Sequence, residues 1–228
     1  MAVKRSAQEN IVLTAERLFA EQGIDGVSLR QINSAAGLKN NAATHYHFGG
    51  KEGLTRAIVE YRAEGINQRR QQLLDGLGAA AAGRGSLRDL VQALVLPMAE
   101  HLISNPEGSF YFRFVIQAVD NSFSSTKEKI MHWHGGHYDQ IRGLLRALLE
   151  DLPDEIFTQR FGLMLTLVVN SIAAWECEIP AGSTHEATKA FASRTLLFAD
   201  NLIDATCGLL TAPISDGTRE KMEGGSPP

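Results

Sequence analysis

Apolar residues recur at helical spacing along almost the whole 228-residue chain, and nowhere do they alternate as a half-buried strand requires. That periodicity restricts the fold to an all-α architecture. From Ser6 to Gln22, Ile11, Ala15, Leu18 and Phe19 fall on one helix face, and Gly23 ends the run. Ser28 and Gln31 form a capping-box pair that opens a short second helix. Leu29, Ile32 and Ala36 mark its inner face, and Gly37 stops it. Asn40 or Asn41 caps a third short helix reaching Phe48, and Gly49 with Gly50 breaks it. The pattern then predicts a longer helix from Lys51 to Leu74, with Leu54, Ile58 and Tyr61 inward and Arg56, Arg62, Arg69 and Arg70 on a solvated face.

The run GLGAAAAGRGS, Gly76 to Ser86, is the expected boundary, because Gly and Ala bury little and leave the backbone free. Beyond it Ser86 and Asp89 open a helix that Pro97 should kink. Another fits Phe110 to Asn121, and a long one is expected from Ser125 to about Leu152, ended by Pro153. The last two, Glu155 to Glu176 and a second opened by Ser183 with Glu186, are apolar on nearly every face, so each needs cover on all sides. Either both lie at the centre of a monomer, or one face meets a second copy; the latter predicts a homodimer through 155–176 and 183–210. The polar tail, 215–228, is expected to fray. The expected organisation is therefore 1–50 as a reading head, 51–75 as a linking helix, 76–214 as a larger domain and 215–228 as a flexible tail.

Charge segregates along this chain. The net −4 divides into +3 over residues 1–74 and −7 over 75–228, which makes the N-terminal part the candidate for a polyanionic partner. Cys177 and Cys207 read as reduced, buried small hydrophobes. The longest apolar run, Phe161 to Trp175, is interrupted by Thr166, Asn170 and Ser171, so no membrane partner is expected and the location is read as cytoplasmic.

Two short helices joined by a tight Gly-containing turn, behind a longer first helix in the basic part of the chain, follow helix-turn-helix logic. Such a pair lays its second helix in the major groove, where donors at its N-terminal end meet base edges. Here that helix presents Lys39, Asn40, Asn41, Thr44 and His45, with Ala42 and Ala43 allowing close approach. After Gly-Leu-Lys, Asn40 is better suited to capping than to base contact, which leaves Asn41 as the better reader of adenine. Ser28, Tyr46, His47 and Lys51 are the expected phosphate partners, Lys51 at a helix start where the dipole favours an anion; for Tyr46, packing with its hydroxyl at the surface is an equal reading.

At these residues the chain resembles the TetR family of bacterial transcriptional regulators. The matching run is VSLRQINSAAGLKNNAATHYHFGGKEGL, Val27 to Leu54, with its cap, its Ala-Gly stop, Tyr-His-Phe, two small residues and Lys-Glu in order. It differs from the commonest form by one extra residue between Gly37 and Phe48 and by His45 where Tyr is usual, which shifts the register of base contacts. The resemblance implies an all-α homodimer, a ligand cavity in the C-terminal domain, and repression of a double-stranded DNA operator relieved by a small-molecule effector.

The segment HWHGGH suggests a metal, but helix geometry opposes it. At roughly 100° per residue His134 and His137 share a face, whereas His132 lies about 160° from His134. Neither a metal nor a cofactor is expected. Phe110, Phe114, Trp133 and His137 are named as lining of an effector pocket, beside the commoner role of such residues as core packing. The chain is thus read as a regulator rather than an enzyme. A helical enzyme or metal protein using His132 to His137, and a purely structural interaction module, stand as the alternatives.

Overall fold

The computed structural model describes residues 6–38, 43–79, 85–105, 108–120, 136–179 and 184–224. Among them lie ten helices and no strand: α1 (Ala7–Gln22), α2 (Leu29–Ala35), α3 (Ala43–Phe48), α4 (Lys51–Ala79), α5 (Leu87–Ser104), α6 (Tyr111–Asp120), α7 (His137–Leu148), α8 (Asp154–Glu176), α9 (His185–Thr211) and α10 (Asp216–Glu223). Three capping boxes start helices where the sequence places or allows them. Ser6 exchanges hydrogen bonds with Glu9, Ser28 with Gln31 and Ser86 with Asp89, each pair satisfying two orphan N–H groups.

The helices pack α1 on α4 and α6, α4 on α5, α6 on α8, and α9 on both α5 and α8. Their buried residues form one continuous core. Ile11, Ala15, Phe19, Ile32, Leu54 and Ile58 hold the first four helices together, and Phe114 of α6 carries that core onward by stacking on Phe19 with ring centroids 6.2 Å apart. Phe114 is therefore fully buried packing, not the wall of an open pocket.

Several sequence expectations change here. The long helix expected from Ser125 begins, in the described residues, only at His137, because Gly136 takes a left-handed φ of 69° at its N-cap and cannot continue a helix through that point. The 215–228 tail is not wholly frayed: α10 spans eight of its residues, with Ser215 extended at the N-cap, Asp216 in the first turn and Lys221 in the last, all favourable to the helix dipole. Ser183 lies outside the described residues, and Thr184 caps α9 instead, accepting from the Ala187 N–H. Cys177 is exposed, contrary to its reading as a buried hydrophobe. By length and mean hydropathy (1.3) α8 could cross a membrane, yet Phe157, Phe161, Met164, Val168 and Ile172 bury it in the core.

The largest departure concerns α4. Tyr61 is exposed, while Arg62 and Arg70, expected outward, are buried. Arg62 meets Glu16 of α1 through Nε–Oε2 at 2.6 Å and Nη2–Oε1 at 3.0 Å, and donates from Nη1 to Asn105 Oδ1. Glu16 also accepts the Phe110 N–H at 3.0 Å, just ahead of α6. From the other side Glu176 of α8 accepts the N–H groups of Phe112 and Arg113. Two buried carboxylates thus satisfy the N-terminal donors of α6, where the helix dipole favours negative charge. Burial holds the Glu176 carboxyl above its ordinary range, against the hydrogen bonds and the Arg113 charge that pull it down.

His101 stands beside this cluster, near the Tyr111 and Phe112 rings and 3.5 Å from the Ser109 hydroxyl. Burial first, and the Arg62 charge second, lower its pKa from 6.5 to about 3.

Two measurements check this account. Glu16→Gln strands the buried Arg62 charge and should cost about 3–5 kcal/mol in equilibrium denaturation. The pH test concerns His101, at which the unfolded chain binds a proton between pH 6.5 and about 3 that the folded chain does not. Its contribution to stability is present above pH 6.5 and lost as pH falls through that window. Glu176, raised rather than lowered, has the opposite sign, losing its contribution as pH rises. His101→Gln isolates the histidine: wild type should lose stability relative to this variant steadily from pH 7 toward pH 4, and parallel curves would contradict the assignment.

Candidate nucleic-acid interface

The helix pair α2 and α3 is fastened by short polar bonds. The chain leaves α2 through Ala36 and Gly37, where the Leu38 N–H returns to the Asn33 carbonyl at 2.9 Å and Asn10 of α1 donates to the Ala36 carbonyl at 2.8 Å. The Thr44 hydroxyl of α3 donates to Asn33 Oδ1 at 2.6 Å, both residues fully buried, so this bond sets how α3 lies on α2. At the far end α3 meets α4 so closely that a Cβ at Gly53 would overlap the Phe48 carbonyl oxygen. Only glycine fits there.

This geometry divides the nine residues expected at DNA. Lys39, Asn40 and Asn41 lie outside the described residues. Thr44, expected to face the groove, instead points inward and serves as the α2–α3 fastener. Lys51, expected to grip phosphate, has its ammonium on the carbonyl oxygens of Ile24 and Asp25 at 3.0 and 3.3 Å, tying the start of α4 to the α1–α2 turn. Ser28 is exposed, with its hydroxyl engaged in the cap of α2. His45, Tyr46 and His47 do lie on the exposed surface. Tyr46 is 86% exposed, the most exposed large hydrophobic side chain described, and its ring stands edge-on to His47. His47 Nδ1 pairs with Gln8 Nε2 at 3.1 Å, steadying the tip against α1. Gln8 escaped the sequence reading because an exposed glutamine on a helix carries no pattern.

The side chains expected around an effector do not converge on one opening. Phe114 is core. Phe110 is half-buried beneath Arg113, whose guanidinium carbon lies 4.5 Å from the ring centroid. His137 is half-buried at the first position of α7. Trp133, with His132 and His134, falls outside the described residues. A groove of about 470 Å³ between α7 and α8 is lined by Asp139, Arg142, Gly143, Arg146, Asp154, Phe157 and Thr158, none of them expected from sequence.

Residues 11–58 match the family model described as bacterial regulatory proteins, tetR family. The chain is 32% identical over 84 residues to the HTH-type transcriptional repressor AcnR of Corynebacterium glutamicum, a match spanning 37% of this chain and 42% of that relative. Its fold is similar to a TetR-family transcriptional regulator from Bordetella parapertussis (TM-score 0.60, 14% identity, 93% of this chain and 100% of that one). It is also similar to PfmR from Thermus thermophilus (0.52, 19%, 86% and 97%) and to HlyIIR, a hemolysin II transcriptional regulator (0.56, 18%, 87% and 96%).

The Thr44 assignment has a direct test. Thr44→Val keeps the shape but leaves Asn33 Oδ1 buried without its donor, so stability should fall by about 1–3 kcal/mol in urea denaturation. A variant as stable as the wild type would refute the fastener.

Proposed function

We propose that the chain, similar to the TetR family of bacterial regulatory proteins over residues 11–58, is a member of that family and a sequence-specific, DNA-binding transcriptional regulator: a homodimeric repressor released from a palindromic operator by a small, mostly apolar effector. The observation that carries the reading is the exposed tip His45-Tyr46-His47 on a short helix whose back is fastened by Thr44 and Asn33. A tip so held presents donors and an aromatic ring to a groove without loosening its own support. Lys39, Asn40 and Asn41 are proposed to reach base edges ahead of it, while Ser28, Tyr46 and His47 meet phosphates.

The dimer is proposed to form through α8 and α9, which expose Leu163, Leu196 and Leu197. Two reading heads about 34–36 Å apart would enter successive major grooves. α4 runs from the reading head into the body, 29 residues and about 44 Å long, so a small tilt of its body end changes that separation. A coupling of about 1–3 kcal/mol between effector and operator would lower operator affinity several-fold to a hundredfold. A regulator of this kind works in the cytoplasm, beside the DNA it binds.

Selection of random duplexes by the full chain tests the reading. The expected product is a palindromic sequence bound less tightly as salt rises; no enriched sequence would overturn it. Tyr46→Ala should weaken that duplex by about 1 kcal/mol while leaving the unfolding midpoint unchanged, because the ring is almost wholly exposed.

A further inference from the structure

Arg70 lies on the inward stripe of α4, four residues from Ile66 and four from Leu74, and is fully buried. A guanidinium keeps its charge when buried, so its donors need acceptors. Nη1 has one, Asn67 Oδ1 at 2.5 Å, and the cation sits 5.2 Å from the centroid of the Tyr138 ring on α7. Among the described residues, buried Nε and Nη2 have no hydrogen-bond partner and no carboxylate pairs with Arg70.

Those two nitrogens form one edge of the guanidinium, and its neighbours on the same helix show what this edge holds. Arg62 grips Glu16 through Nε and Nη2 at 2.6 and 3.0 Å, and Arg69 grips Glu100 through the same pair at 2.8 and 3.1 Å. A carboxylate is the planar acceptor that takes both donors at once. In Arg70 the same fork is turned inward, and among the described residues nothing fills it.

We propose that Arg70 anchors a buried small-molecule site whose ligand is a carboxylate on an apolar body, its two oxygens accepting from Nε and Nη2 while the body lies against the apolar stripe and Tyr138. The burial of the fork limits the ligand to a small molecule, because a macromolecule has no route to it. The site sharpens the proposed effector from mostly apolar to acidic, and rests on the regulator reading only for its effect at DNA. Binding would place the ligand on α4, the helix that joins body to reading head.

The test is thermal unfolding of the full chain at pH 7 with matched pairs: benzoate and benzamide, phenylacetate and phenylacetamide, hexanoate and hexanamide, octanoate and octanamide. At least one carboxylate should raise Tm by about 2–4 °C where its amide does not. Arg70→Met, relieved of an unmet charge, should melt at or above the wild-type Tm without additive and lose the carboxylate response. Arg70→Lys keeps the charge without the fork, and should fold while losing at least tenfold in affinity for the same acid. The proposal fails if no acid outperforms its amide, if Arg70→Met melts several degrees lower, or if Arg70→Lys binds as the wild type does. None of these readouts involves DNA. A carboxylate response without duplex selection would overturn the regulator reading alone, and duplex selection without a carboxylate response would overturn this site alone.

Discussion

The carboxylate of Glu16 connects three helices that are distant in sequence. From the inner face of α1 it takes two donors of Arg62 on α4 and the Phe110 N–H ahead of α6. Burying this charge would be prohibitive alone and is tolerable because each oxygen is met. The consequence is mechanical. Helix α1, the long helix α4 and the start of α6 share one junction. Phe19 and Phe114 close the same joint with apolar contact, within one continuous core. Glu176 gives α6 a second tie, to α8, the helix proposed to face a second subunit.

At the reading head, residue type and residue role separate. Threonine and lysine are ordinary DNA-contacting residues, yet Thr44 and Lys51 spend their polar groups inside the protein, on Asn33 and on the α1–α2 turn. They matter to the surface indirectly, by holding α3 so that His45, Tyr46 and His47 stand outward. The family match over residues 11–58 covers this unit. The shared fold of solved regulators extends over most of the chain at below 20% identity, as expected when helix order and packing persist while the surfaces diverge.

The arginines of α4 show why charge patterning misleads. Leu54, Ile58, Arg62, Ile66, Arg70 and Leu74 stand four apart on one stripe, all of them buried. The spacing was legible in the sequence and places both arginines among inward residues. Composition argued otherwise, since arginine is rarely buried unless paired. Arg62 obeys that rule through Glu16, itself an acidic residue beside the apolar face of α1. Among the described residues Arg70 has no carboxylate partner, and that difference depends on side-chain placement alone.

Helix order and most starts followed from spacing and caps, because those signals act between residues three or four apart: Ser6 with Glu9, Ser28 with Gln31 and Ser86 with Asp89 needed no tertiary context. Even where the local reading failed, at Gly136 and in α10, the cause was local backbone or capping chemistry. At the tip of α3 the exposure of Tyr46 decides between two readings, packing and surface, that local pattern leaves equal. Which polar residues turn inward was beyond such reasoning. Thr44, Lys51, Arg62, Arg70 and Phe114 take their roles from partners in other helices or in the α1–α2 turn, up to ninety-five positions away. A hydroxyl or a guanidinium has the same local preference in either role, and only packing determines whether water or another side chain meets it.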